Sequence, residues 1–265
     1  MRRALIGYTG LVGSNLAAQG RFDALYNSRN IETIRGEAFD EIVCAGISAV
    51  KWWANTHPEE DMQGVQRLLD SLGHCTAERF TLISTVDVYA RPDGVDENTP
   101  VGMDGLHAYG RHRRLAELFC RKRFARCMIL RLPGLFGAGL KKNAIYDLLH
   151  DNQVDNIHPD AVYQFYDLGR IHADMETARV AGLDLVNLAT EPVSMRQVAR
   201  HAFGREFGAS PGIPVPRYDM RTIHAAVFGS SPPYLQTARQ VLDGIAAFVA
   251  VETGTRTAER TAEDA

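Results

Sequence analysis

"RALIGYTGLVGSNLAAQG", residues 3–20, decides how the chain folds. An apolar run through Ile6 reads as a strand, Gly7 as a turn, and the segment closing at Gly20 as a helix. Gly7, Gly10 and Gly13 stand three apart in this strand–turn–helix context. The first glycine permits a tight turn, the second lets backbone approach a pyrophosphate, and the third lets helix pack on strand. The helix N-terminus adds unpaired N–H groups and a positive dipole end. The segment therefore reads as a dinucleotide-binding turn, with Gly7, Thr9, Gly10, Leu11, Val12 and Gly13 as candidate cofactor contacts.

Outward from this turn, strands and helices alternate. "ALYNSRNIETI", "FDEIVCAGI", "RFTLISTVDVYA" and "CMILRLPGLFG" are strand candidates. The unbroken apolar run of the second suits a strand covered on both faces. Met62, Val65, Leu68, Leu69 and Leu72 recur at helical spacing, with Thr56 and Glu59 as a capping box and Gly73 as the stop. A second helix is expected from about Tyr109 to Phe124. The expected architecture is an α/β, Rossmann-type, doubly wound parallel sheet with a small C-terminal substrate lobe. Residues 1–139, with returning segments near 183–204, form the dinucleotide domain, and 140–251 mainly the lobe. "SMRQVARHAFG" is a helix capped by Ser194 and Gln197, and the region after Tyr234 is a helix ending near Val251. The tail 252–265 has no apolar periodicity and is expected to be disordered.

Cofactor choice turns on the end of the second strand. A chain preferring NAD places Asp or Glu about 20 residues past the first glycine. Here Asn27, Ser28, Arg29 and Asn30 precede the first acid, Glu32. Ser28 and Arg29 suit a 2′-phosphate through charge-assisted hydrogen bonds, so NADP is expected over NAD.

Composition narrows the rest. With 45% hydrophobic and 23% charged residues, the chain has the make-up of a soluble globular protein. A net charge of −3 gives no basic field for nucleic acid. Four scattered cysteines, Cys44, Cys75, Cys120 and Cys127, suggest neither a disulfide framework nor a zinc site, and the histidines lack metal-ligand spacing. "MRRALIG" is interrupted by glycine too early for a secretory segment, and no apolar stretch would span a bilayer. A cytoplasmic, metal-free protein is expected.

Four landmarks stand in order: "GYTGLVG", "ISTVDVYA", "YGRHRRLAE" and "ILRLPGLFGAG". Together they resemble the extended short-chain dehydrogenase/reductases, the NAD(P)-dependent epimerase/dehydratase family. That family carries G-x-x-G-x-x-G, S-[ST]-x-x-V-Y, Y-x-x-x-K and R-x-x-x-x-[FY]-G. "VDENTP" and "LVNLATEPVSMRQVA" add to a likeness spanning roughly residues 3–204. It implies Tyr109 as catalytic acid/base, Thr85 as the hydroxyl partner, and Arg113 in the lysine position. It further implies Ala45 and Gly46 beside the adenine–ribose half, and Pro133 and Gly134 beside the nicotinamide. The implied activity is NADP-dependent oxidoreduction or epimerisation at a secondary alcohol or ketone, of a sugar or nucleotide-sugar. A homodimer built on helices 58–73 and 109–124 is also implied.

A phenol with a pKa near 10 is a poor base at neutral pH. A cation one helical turn away, at about 4 Å and an effective dielectric of about 20, favours phenolate by roughly 4 kcal/mol. Arg113 keeps that charge but not lysine's compact shape. Asp87 is the one acid where dehydratases of the family carry two, which makes nucleotide-sugar dehydration the alternative chemistry. A non-catalytic NADP(H) sensor or scaffold is the alternative class, favoured by Arg113 and by a C-terminal part short for the family. Gln164 lies near the place where relatives contribute an arginine to a nucleotide diphosphate, and Arg170 a little later, which leaves diphosphate recognition open. Lys141 and Lys142 suit an anionic substrate or a solvated helix start. Trp52 and Trp53 follow the third strand, where they either border the pocket or, as is chiefly expected, pack.

Overall fold

Strands that are apolar on both faces need helices above and below them, and the central sheet is built that way. The protein is described from a computed structural model over residues 1–207, 212 and 214–263. In chain order the elements are β1 (Arg3–Ile6), α1 (Leu11–Gln19), β2 (Ala24–Tyr26), β3 (Ala38–Cys44), α2 (Lys51–Thr56), α3 (Pro58–Leu72), β4 (Thr76–Thr85) and β5 (Asp93–Val95). There follow α4 (Ala108–Arg123), β6 (Cys127–Leu132), β7 (Gly134–Phe136), α5 (Ala144–His150), β8 (Val162–Tyr163), β9 (Phe165–Asp167) and α6 (Ile171–Val180). The last are β10 (Leu185–Asn187), β11 (Val193–Ser194), α7 (Met195–Phe203), β12 (Asp219–Met220) and α8 (Ala238–Glu263).

Six strands form one parallel sheet in the order β10-β6-β4-β3-β1-β2. From β1 the chain first adds β2 on one side, then crosses back to lay β3 on the other. Ile6 consequently pairs with both Tyr26 and Cys44. This is the doubly wound order in which the topological switch falls between the first and third strands.

Alternation along each strand splits the core. Leu5, Val43 and Leu130 face a cluster shared with Leu16, Ile171 and Met175. Ala4, Ile6, Ile42, Leu82 and Ile129 face one shared with Val65, Leu68, Ala116 and Cys120. A third cluster joins Phe136, Ile145, Phe165, Val198, Val241 and Ile245 in the C-terminal lobe. β10 pairs with β6 at the edge of the main sheet, and α7 packs with α8 in this third cluster.

Two local expectations are corrected. Thr56 does not cap α3: it ends α2, and its hydroxyl donates to the Trp52 carbonyl (2.9 Å). The α3 N-cap is His57, followed by Pro58, whose missing N–H leaves one fewer unpaired donor at the helix start. The helix after Tyr234, expected to end near Val251, runs on as α8 to Glu263. Asp264 and Ala265 lie outside the described residues. The Ser194–Gln197 capping box forms as expected. Among the described residues no helix is long and apolar enough to cross a membrane.

Candidate functional site

All six sheet strands run the same way, so the loops that leave them share one edge. Gly7, Asn27, Ala45, Thr85 and Pro133 each stand just past, or at, a C-terminal strand end. At the switch, Gly7 adopts φ +87°, and a β-carbon there would strike the Ala45 carbonyl. The loops after β1 and β3 therefore abut, and ligands of open α/β sheets bind in this crevice.

The glycines of the turn differ in what surrounds them. A β-carbon on Gly13 would run into the Gly7 carbonyl, so α1 approaches the turn too closely for a side chain. Gly10, the N-cap of α1, would meet only the Gly7 carbonyl, at 3.4 Å. Its outer side is open where a phosphate would approach. Gly13→Ala is expected to cost about 1–3 kcal/mol through overpacking. Gly10→Ala is expected to alter stability by less than about 1 kcal/mol but to weaken dinucleotide binding. Denaturant unfolding beside a cofactor titration checks both; equal losses of stability would contradict this division.

At the end of β2, Asn27 shapes the loop. It donates to the Tyr8 hydroxyl (3.2 Å) and accepts from the Arg29 amide (2.9 Å). Ser28 and Arg29 are exposed. Glu32 does not approach the loop as a ribose acceptor: it takes a hydrogen bond from Arg67 (2.9 Å) on α3.

Tyr109 opens α4, with its amide donating to Asn55 Oδ1 (3.0 Å) and its side chain 8% exposed. Arg113 lies one turn on, with its guanidinium carbon over the face of the ring, 3.9 Å from the centroid. It is 3% exposed, so it is no part of a solvated basic face. Nη1 donates to Asp61 Oδ2 (2.6 Å), and Nη2 to Asp61 Oδ1 (3.2 Å) and to the Ser48 carbonyl. The cation expected to bring the phenol into working range is thus a closed ion pair with a carboxylate from α3. Burial raises the Tyr109 pKa, and the opposing pull of Arg113 does not overcome it. Asp87 adds to the rise, while Thr85, through hydrogen bonding, and Lys51, through charge, oppose it.

Asp87 is the hub of a cluster that motif spacing does not reveal. Lys51 Nζ donates to Asp87 Oδ1 (2.6 Å) and to the Tyr218 hydroxyl (3.1 Å). Tyr218 donates to the same carboxylate oxygen (3.3 Å), and His107 Nε2 stands 3.8 Å from it. The Asp87 amide donates to Thr85 Oγ1 (3.2 Å). Burial alone would raise the Asp87 pKa, but His107 and Lys51 hold it below the usual carboxylate range. An ionised, paired carboxylate is a poor proton donor.

Residues 20–158, just over half of the chain, match the NAD dependent epimerase/dehydratase family. The chain belongs to that family. No curated protein matches it in sequence. Among solved structures it is similar to UDP-glucose 4-epimerase from Thermotoga maritima with UDP-glucose, at TM-score 0.69 and 12% identity, covering 96% of this chain and 99% of that one. It is also similar to dTDP-4-dehydrorhamnose reductase from Bacillus anthracis in complex with NADP, at TM-score 0.70 and 14% identity, covering 93% and 96%. A third is MoeE5 in complex with UDP-glucuronic acid and NAD, at TM-score 0.68 and 17% identity, covering 95% and 100%. At such identities the likeness is one of fold.

Several other expectations for this epimerase/dehydratase-family chain are revised. Gln164 is buried and structural: it donates to the Met220 carbonyl (2.6 Å) and accepts from the Met220 amide (2.7 Å). Arg170 is engaged with Asp174 (3.2 Å). Lys142 donates to the Ala49 carbonyl (2.6 Å), tying the loop after β7 to the loop after β3. Trp52 and Trp53 do not pack inward and are 63% and 39% exposed, because Ala54 takes the buried side of α2. Gly134, exposed after the buried Pro133, leaves β6 at the same edge as Thr85. Sequence reasoning missed Lys51, Asp61, His107 and Tyr218. Only His107 had a local signal, as the residue before the helix that carries Tyr109.

Proposed function

We propose that this chain is an NADP-dependent oxidoreductase or epimerase acting on a secondary alcohol or ketone of a nucleotide-sugar. The observation that carries the reading is the single edge of the sheet on which the open Gly10 turn, Thr85 and the buried Tyr109 meet. The cradle fits a dinucleotide. Gly7 and Gly13 close the turn, Gly10 is open outward, and the start of α1 bears no acidic residue to repel a phosphate. When bound, the nicotinamide cofactor supplies the hydride acceptor or donor. Solved structures of this fold are complexes with NAD, NADP or UDP-linked sugars, which supports cofactor and substrate class alike.

In this reading Thr85 and Tyr109 hold the substrate oxygen between two hydroxyls, and Tyr109 gives or takes its proton. Arg113, fixed by Asp61, holds the ring in place by stacking on its face. Ala45 and Gly46 wall the adenine–ribose half, and Pro133 and Gly134 the nicotinamide half. The deciding experiment incubates the protein with NADP(H) and a panel of 4-hydroxy and 4-keto nucleotide-sugars. Conversion of at least one, with a change in nicotinamide absorbance or sugar configuration, is expected. Tight cofactor binding with no conversion across the panel would favour a sensor instead.

Exposed Ser28 and Arg29 at the end of β2 support NADP over NAD. Arg29→Ala is expected to weaken NADP binding about tenfold or more, the loss of one charge-assisted contact. NAD binding should stay within about twofold. Equal effects on the two cofactors in a fluorescence titration would refute this preference.

A further inference from the structure

Arg113 is committed to Asp61 and Ser48, yet a carboxylate, Asp87, stands on the Thr85 side of Tyr109. A bare carboxylate there would oppose every step in which Tyr109 gives up its proton. The start of α4 lies hard against this turn, because Gly110 packs so closely on the Asp87 carbonyl that a β-carbon would collide. Helix α2 answers both constraints. Its first residue, Lys51, donates to Asp87 at 2.6 Å, and one turn on its Asn55 accepts from the Tyr109 amide at 3.0 Å.

We propose that Lys51 is a positioning residue for the reaction: by binding Asp87 it cancels the carboxylate beside Tyr109 and supplies the adjustable cation that α4 lacks. This rests on the acid–base reading of Tyr109. Arg113 is 3% exposed and held by both oxygens of Asp61, whereas the Lys51 side chain is 40% exposed and shares its carboxylate with Tyr218 and His107. A lysine ammonium on a flexible stem can shift toward a developing phenolate; a clamped guanidinium cannot. Burial disfavours the Lys51 ammonium, but Asp87 and Tyr218 outweigh it and keep the charge in place. The charged and titratable groups facing Tyr109 are therefore Arg113 from α4, Asp87 after β4, Lys51 from α2 and His107 at the α4 N-cap.

The test reads the Tyr109 phenol itself. The full-length chain, labelled with carbon-13 at the tyrosine ζ-carbon, is titrated by NMR, with Tyr109 assigned by its loss in Tyr109→Phe. Lys51→Met is expected to move the titration to higher pH, including beyond the range in which the protein stays folded. Lys51→Arg is expected to restore it toward wild type, and Lys51→Met with Asp87→Asn to bring it back down. An unmoved titration in Lys51→Met, or a double variant as high as the single, would overturn the proposal. Should Lys51→Met not fold, Asp87→Asn alone must lower the titration, and no movement there overturns it equally. NADP uptake measured on the same samples separates the two readings. A wild type that takes up no pyridine nucleotide removes the oxidoreductase reading, while the phenol titrations still decide the role of Lys51.

Discussion

Tyr109→Phe is expected to lower turnover by roughly 10²- to 10⁴-fold, the range that general acid–base catalysis supplies, while cofactor affinity and fold stay intact. The ring is what packs: it lies under the Arg113 guanidinium at 3.9 Å and is 8% exposed. Phenylalanine keeps that ring and face. The hydroxyl is what reacts, and Thr85 alone has no group able to take up a proton at neutral pH. Thr85→Val should then lose less than Tyr109→Phe, because it removes a hydrogen-bond partner but leaves the acid/base. Turnover of any nucleotide-sugar accepted by the wild type, with circular dichroism and cofactor titration as controls, checks this. Retention of more than about a tenth of wild-type turnover would contradict the assignment.

The second large effect lies behind the site, in the buried pair that locks α4 to the sheet. Glu117 and Arg131 are 0% and 2% exposed. Arg131 Nε donates to Glu117 Oε1 (2.9 Å) and Nη2 to Oε2 (2.8 Å), with Ser84 donating to Oε1 (2.7 Å). Arg131 Nη1 also donates to the Tyr89 hydroxyl (2.8 Å). Glu117→Ala leaves the arginine charge buried without its partner and is expected to destabilise by about 3–5 kcal/mol. Losing both charges in Glu117→Gln/Arg131→Met should cost less than Glu117→Ala alone.

The pair also gives a pH signature. Burial pushes the Glu117 carboxyl up, but Arg131, with Ser84 and Arg114, outweighs burial and holds it below the usual carboxylate range. A depressed folded pKa contributes stability that is fully present above the unfolded value and is lost as pH falls through the folded one. Glu117→Gln should therefore show a weaker dependence of stability on pH below 4.5 than wild type. Urea unfolding at several acidic pH values measures it, and parallel profiles would count against the pair.

The fold was legible because its signals are local. Glycine spacing, apolar runs and the residue at a helix start are written within a few positions of one another, and Gly7, Gly13 and Ser194 each do what their neighbourhood implies. The juxtaposition of Thr85 and Tyr109 was legible only through the family pattern. What sequence could not convey is which charges meet. Asp61 reaches Arg113 from α3 and Lys51 reaches Asp87 from α2, contacts between elements far apart in the chain. A helical spacing of Tyr109 and Arg113 correctly placed the two side chains together, but not the carboxylate that closes the guanidinium. For the same reason Thr56 was misread: a hydroxyl available for capping α3 is already held by the helix before it.

The most direct measurement is a diffraction structure of the protein grown with NADP. The account predicts the pyrophosphate against the amides at Gly10–Gly13, the 2′-phosphate at Ser28 and Arg29, and the nicotinamide opening toward Thr85 and Tyr109. A dinucleotide bound away from this edge, or Tyr109 separated from the nicotinamide by intervening protein, would contradict it.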